Sequence, residues 1–330
     1  MASPNLESFV IALKQGREFI PIQVASLRVD TVTQFDLYIK VTSDEPAVLY
    51  ADHSVPFKEA SRRRLQDNQV EYLFIHANQL GQYRRYIEKN LPAILADVGV
   101  RMEDKSQLFH ITSQGVVEDV LEGTDIEEGL ERGGQLISHT VDFLFGQRAA
   151  LRYLVESASV DYDIYTHSVN GCVMSLALAQ RMGYPGERLI EFGTGTLFRD
   201  VGLSKISPKI VHNTGQLTQK EFLEIKQHPV YSEELLKETN VTSSVTLDVV
   251  RHHHEKMDGS GYPDGLAGDD VSPLVRICTT VDVFDALTTN RLHKKALGTY
   301  EALEVMSQEL QDELDIDIVK ALITMLGFAN

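Results

Sequence analysis

Residues 35–41 (Phe-Asp-Leu-Tyr-Ile-Lys-Val) alternate apolar and polar side chains, the pattern of a strand with one covered face. Residues 19–24, 47–51 and 70–75 read as further short strands, and residues 57–69 and 80–95 carry helical spacing between them. This first part predicts a small N-terminal α/β domain over residues 1–112. Arg62-Arg63-Arg64 reads as a solvated helix face, and no clustered His, Asp or Cys is visible here. The expected role is sensory or docking. Residues 113–155 read as an acidic connector and linker helix: seven acidic residues fall within 115–132, Gly133-Gly134 follow, and helical spacing resumes over residues 136–156.

From residue 156 to 330 almost everything scans as helix. Tyr165, Val169, Cys172, Leu176 and Ala179 form an apolar stripe closed by Gly183. Thr218 and Glu221 make a capping box, and Ser272-Pro273 suit the start of a helix through Leu274, Ile277, Val281 and Phe284. The fold class predicted is α+β overall, with the N-terminal α/β domain followed by an all-α helical bundle.

Composition narrows the function classes. The 330 residues are 43% hydrophobic and 24% charged, ordinary values for a globular chain. A net charge of −17 argues against polynucleotide or anionic-membrane partners, though a pocket can still gather positive charge for a small anion. Two cysteines, Cys172 and Cys278, cannot build a disulfide framework. With no membrane-length apolar run and no signal-peptide pattern, a soluble cytoplasmic protein is expected. Of 11 histidines, seven lie in the second half: His167, His212, His228, His252, His253, His254 and His293.

Helical phase places several of these inward. His253 and His254 lie one turn beyond Val249 and Val250, whereas His252 is one turn from Asp248 and is expected to face solvent. Asp282 follows Cys278 by four residues and Asp200 follows Leu197-Phe198, so each carboxylate would be buried without water. That costs several kcal/mol unless a partner neutralises it. A lone helical histidine is usually satisfied or exposed, and a lone Asp is usually a cap. Inward imidazoles and carboxylates from separate helices point instead to a shared divalent metal site.

The run His253-His254-Glu255-Lys256-Met257-Asp258-Gly259-Ser260-Gly261-Tyr262-Pro263 resembles HHExxDGxGYP, the signature of HD-GYP domains. The similarity extends from about residue 161 to the C-terminus. It takes in Thr166-His167-Ser168, the Lys-Gln-His-Pro segment ending at Pro229, and residues 281–291. It implies a helical metal-dependent hydrolase of bacterial signal transduction that cuts cyclic-di-GMP. It further implies iron- or manganese-type metal, one or two per chain, on His167, Asp200, His228, His253, His254 and Asp282, with Asp163 as an extra carboxylate. Arg291, Lys294 and Tyr262 would hold substrate, and Asp258, Gly259, Gly261, Tyr262 and Pro263 would form the GYP loop, a docking point for a GGDEF-type partner. Two cations about 3.5–4 Å apart could clamp a phosphodiester for in-line attack by hydroxide.

One segment departs from the family. Where HD-GYP proteins carry the HD pair and a following lysine, this chain reads Arg199-Asp200-Val201-Gly202-Leu203. Arginine has no lone pair to give a metal, and its charge opposes a second cation nearby. It could pair with Asp200, Asp282 or Asp163 in that cation's place. Arg199 is thus an altered catalytic position beside Asp200, and the expectation is one occupied metal site with weak or lost hydrolysis. Two alternatives stand beside it: an active cyclic-di-GMP phosphodiesterase releasing pGpG or GMP under control of the N-terminal domain, and a nucleotidase of the broader HD superfamily. The sequence leaves self-association into a homo-oligomer open.

Overall fold

The computed structural model describes residues 12, 16–40, 46–122, 126–146, 153, 164–211, 213, 215–239, 243–289 and 295–327. The chain divides into two compact units, Met1–Gly115 and Val116–Asn330.

In the first unit, β1 (Phe19–Gln23), β6 (Tyr72–His76), β3 (Leu37–Ile39) and β4 (Val48–Ala51) form an antiparallel sheet in the order β1-β6-β3-β4. β2 (Thr31–Val32) and β5 (Pro56–Phe57) make a separate two-stranded ladder. Alternation does what the pattern predicts: Ile20, Ile22, Leu73 and Ile75 are buried. The helices α1 (Glu59–Asp67) and α2 (Leu80–Ala96) fall where the helical spacing placed them, and Tyr83, Ile87, Leu91 and Ile94 of α2 are buried. One expectation fails here. Asp36, Asp52 and His53 do cluster at the surface, because the β3–β4 pairing brings the two ends of the hairpin together.

The stretch read as a connector is largely helical: α3 (Met102–Leu121) contains the division between the units, and α4 (Ile126–Gly146) follows. Two of its glycines are sites of close approach rather than breaks. A Cβ on Gly129 would lie 2.3 Å from Val120, and one on Gly133 would lie 2.2 Å from Phe198. Abundant Glu then favours the helix instead of opposing it.

The second unit is helical among the described residues. After α4 come α5 (Ile164–Arg181), α6 (Gly186–Phe198), a 3-10 turn (Val201–Lys205), α7 (Pro208–Val211), α8 (Gln219–Ile225), α9 (His228–Glu238), α10 (Ser244–His252), a second 3-10 turn (Gly268–Asp270), α11 (Pro273–Thr288), α12 (Thr299–Gln308) and α13 (Ile316–Met325). α5 is buried from Thr166 to Ala179 and packs against α6 and α11, while α6 also packs against α4 and α10. The expected caps are present: Thr218 and Glu221 form the reciprocal box, Ser272 caps α11, and Gly183 takes φ +90°. No helix among the described residues is long and apolar enough to cross a membrane.

Candidate metal centre

Five elements bring the site together. His167 comes from the first turn of α5, Asp200 from the end of α6, and His228 from the start of α9. His253 and His254 follow α10, and Asp282 lies in the middle of α11. Glycine permits the closest of these approaches. A Cβ on Gly202 would lie 2.1 Å from the His228 carbonyl oxygen, so the turn after Asp200 can pack against α9 only without a side chain there. Ser232 Oγ donates to the Arg199 carbonyl at 2.8 Å and accepts from the Gly202 amide at 2.7 Å, fixing that turn.

Asp200 divides the site in two. Its Oδ1 lies 3.2 Å from His228 Nε2 and 3.7 Å from His253 Nε2, and those two nitrogens are 3.2 Å apart. His228 Nδ1 is 2.8 Å from the Ile225 carbonyl and His253 Nδ1 is 2.9 Å from the Val250 carbonyl. Since carbonyls only accept, each Nδ1 carries the proton and each Nε2 presents a lone pair. Two lone pairs and a carboxylate oxygen therefore face one another with no hydrogen among them, an arrangement that repels itself unless a cation sits there. Asp200, His228, His253 and His254 all offer ligand atoms within 4.8 Å of one another. Three imidazoles and one carboxylate suit a first-row divalent metal of the zinc, iron or manganese kind.

Burial first, then the charge of its neighbour His253, depresses the pKa of His254 well below the ordinary imidazole value, with Asp282 opposing. Burial also lowers that of His253, against the charge of Asp200. Neutral imidazoles are the form that ligates.

The other half of the site already holds a positive charge. Asp200 Oδ2 is buried without a hydrogen bond and lies 3.4 Å from Arg199 Nε. Arg199 is 1% exposed. Its Nε and Nη2 donate to Asp282 Oδ1 at 3.2 and 3.0 Å, and its Nη1 donates to the Thr196 carbonyl at 2.7 Å. Nη2 also stands 2.7 Å from His167 Nε2. Behind it, a Cβ on Gly171 would lie 2.8 Å from Nη2, so the guanidinium lies against a position that must be glycine. Burial would raise the pKa values of Asp200 and Asp282, yet the Arg199 charge and the histidines around them hold both well below the usual carboxylate range.

His167 is pulled both ways. Burial and Arg199 disfavour the imidazolium, whereas Asp282 and Asp285 favour it and pull its pKa upward; the contact with the guanidinium decides which form this geometry holds. A guanidinium cannot accept a hydrogen bond, so the 2.7 Å contact requires an unprotonated Nε2. We therefore assign the neutral tautomer, with Nδ1–H donating to Asp285 Oδ2 at 2.6 Å.

The segment after His254 closes over the cluster. Glu255 is fully buried and accepts three backbone N–H bonds, from Asp264 and Gly265 on Oε1 and from Leu266 on Oε2. Gly261 lies against the backbone of residues 254–256, where a Cβ would come within 2.5 Å of Glu255 Cα. Tyr262 precedes Pro263 through a cis bond and stacks on the His254 ring, centroids 4.7 Å apart. Burial raises the Tyr262 pKa, and the charges of Asp282 and Asp200 raise it further. Asp258 accepts from the Ser260 amide and hydroxyl, and Gly259 takes φ +78°.

His167, Asp200, His228, His253, His254 and Asp282 are thus brought together, with Tyr262 against them. Asp163, Arg291 and Lys294, like His212 and His293, lie outside the described residues. Leu203, in the turn after Asp200, is half-buried. His252 does not face solvent as expected. It is partly buried with Nδ1 2.7 Å from Asp248 and Nε2 3.0 Å from Asp264, because the loop after Tyr262 folds back over it. Sequence reasoning passed over Asp285, one helical turn after Asp282; Glu255, which sits inside the quoted motif; and Gly171, one turn after His167.

Residues 135–318 match the family model of the HD domain. A cyclic di-GMP phosphodiesterase of Pseudomonas aeruginosa is 34% identical over 178 residues, 54% of this chain and 43% of that protein. 3'3'-cGAMP-specific phosphodiesterase 3 of Vibrio cholerae is 31% identical over 156 residues, 47% of this chain and 34% of that one. The chain thus spans less than half the length of these relatives. In fold it is similar to an HDG"Y"P protein from Bdellovibrio bacteriovorus, with a TM-score of 0.64 and 21% identity over 93% of this chain and 99% of that one. With the HD model spanning more than half of its length and the HHExxDGxGYP run folded against the histidine cluster, the chain belongs to the HD domain family, in its HD-GYP form.

Proposed function

We propose that this chain is a cyclic-di-GMP signalling protein that binds one divalent metal of iron or manganese type and hydrolyses its ligand weakly or not at all. The carrying observation is the Arg199 guanidinium, held by His167 Nε2 and Asp282 Oδ1 with Asp200 Oδ2 beside it. Those three residues are half of the ligand set that the HD-GYP resemblance assigned to metal. The guanidinium takes the place of a second cation.

The remaining donors, Asp200 Oδ1, His228, His253 and His254, fit one metal, which when bound would draw a phosphodiester oxygen by Lewis-acid attraction. Asp200 is shared between that metal and Arg199, so its charge is neutralised from both sides. Arg199 cannot do the rest of the chemistry. It has no lone pair to take a proton from water, its nitrogens are spent on Asp282, His167 and Thr196, and Gly171 walls its far side. Stabilisation of the attacking and departing oxygens by separate cations is thereby lost. Leu203 removes a further positive charge. Tyr262 forms a wall of the site, with Arg291, Lys294 and Asp163 as its proposed outer polar groups.

The reading assigns the N-terminal part, residues 1–112, to sensing or docking, with residues 113–155 as the connection to an HD-GYP domain over 156–330. The exposed Asp258 and Ser260 put the GYP loop where a GGDEF-type partner could engage it. The free buried cysteines Cys172 and Cys278 suit a reducing compartment, and we place the chain in the cytoplasm.

A second reading, an active phosphodiesterase, is favoured by the intact four-donor cluster. Chromatography of pGpG and GMP released from cyclic-di-GMP by manganese-loaded protein separates the two. The first reading expects turnover to rise about 100-fold or more in the Arg199→His, Leu203→Lys double variant, the scale of restoring one transition-state stabiliser. Vigorous turnover by the natural sequence, unchanged by that double substitution, would establish the second.

A further inference from the structure

We infer that Phe222, Lys226 and Tyr262 form a nucleotide shelf beside the metal cluster, taking the second phosphate and one purine of a cyclic dinucleotide; the inference rests on the cyclic-dinucleotide reading above. Lys226 caps the end of α8, two residues before His228. Its Nζ lies 4.8 Å from the centroid of the Tyr262 ring and 5.1 Å from that of Phe222. Tyr262 in turn stacks on His254. A continuous ladder, Phe222–Lys226–Tyr262–His254, therefore runs from the surface to the donor cluster.

Two features mark this ladder as more than packing. Among the described residues no ion pair to a carboxylate is formed by Lys226, and its ammonium instead stands over the faces of two rings. Phe222 is 49% exposed, a large aromatic face open to solvent next to that charge. An aromatic face beside an unpaired cation is what a nucleotide uses, the base stacking on the ring and the phosphate meeting the ammonium. A cyclic dinucleotide has two phosphodiesters and two purines. With one phosphate at the cluster, the other half must be met by something outside it. The lysine that relatives in the family carry after the HD pair is Leu203 here, so Lys226, on a different element, supplies a cation that the site otherwise lacks.

Titration calorimetry of manganese-loaded full-length protein with cyclic-di-GMP tests the shelf, with metal content measured on every variant. Lys226→Ala and Phe222→Ala should each weaken binding about 10-fold with metal content unchanged, the scale of losing one stacked base or its cation. Lys226→Arg and Phe222→Tyr should retain affinity within about threefold. Alanine variants that bind like the natural sequence would overturn the shelf while leaving the cyclic-dinucleotide reading in place. Loss of metal in step with loss of affinity would overturn it too, by assigning Lys226 a structural role. If the natural sequence binds no cyclic-di-GMP, the reading itself fails and the shelf with it.

Discussion

At the scale of single residues, Arg199 shows how a buried charge replaces a cation without replacing its chemistry. The guanidinium satisfies Asp282 and faces Asp200, so the carboxylates stay ionised in a site that would otherwise protonate them. Arg199→Met should therefore destabilise metal-free protein by about 3–5 kcal/mol, the usual cost of leaving buried charges without their partner. Gly171→Ala should cost about 1–3 kcal/mol by pressing on the same guanidinium, as overpacking does. Urea titrations in chelator measure both, and a change below about 0.5 kcal/mol in either would show that the guanidinium is not confined as described. Most of these residues were legible: two carboxylates on apolar stripes and inward imidazoles on separate helices marked the cluster. Asp285 and Gly171 were not, because a single Asp or Gly within a helix forms no periodic pattern and only the fold shows what each touches.

At the scale of elements, the loop from Glu255 to Leu266 is organised by one buried carboxylate taking three backbone N–H bonds. Glu255→Gln replaces one accepting oxygen by a donor and leaves at least one amide unmet. It should lower stability by about 1–3 kcal/mol and speed proteolysis between residues 258 and 266; unchanged proteolysis would contradict the clamp. The loop is also tied to α10 by Arg251, whose Nε and Nη2 donate to Asp264 at 2.7 and 2.9 Å. Those bonds, against a little burial and aided by His252, pull the Asp264 pKa down to about 2. A depressed carboxylate stabilises the fold above its unfolded value near 4, and that contribution disappears as pH falls through about 2. The melting-temperature gap between the natural sequence and Asp264→Asn should thus be constant from about pH 5 to 6, below the titration of its partner His252, and shrink as pH drops from 4 towards 2. A gap independent of pH would contradict the assignment. Strand alternation, helix phase and caps were all readable from the chain. The acidic stretch was not: Gly133 looks like punctuation in sequence, and only the position of Phe198 reveals it as a packing site.

At the scale of the molecule, four of the seven second-half histidines, His167, His228, His253 and His254, gather around Asp200, while the −17 charge says nothing about the interior of that site. The helical unit gathers ligands from five elements around Asp200, whose two oxygens face different surroundings: histidine nitrogens on one side, a guanidinium on the other. The sequence showed that a histidine was missing at 199. That the arginine there would fold inward rather than out to solvent depended on Gly171 and Asp282, which come from other helices. The central claim is that this centre has room for one metal and not two. Inductively coupled plasma mass spectrometry of manganese-loaded, desalted protein tests it most directly. The account predicts one metal per chain in the natural sequence and a rise towards two in Arg199→His with Leu203→Lys; two metals per chain in the natural sequence would contradict it.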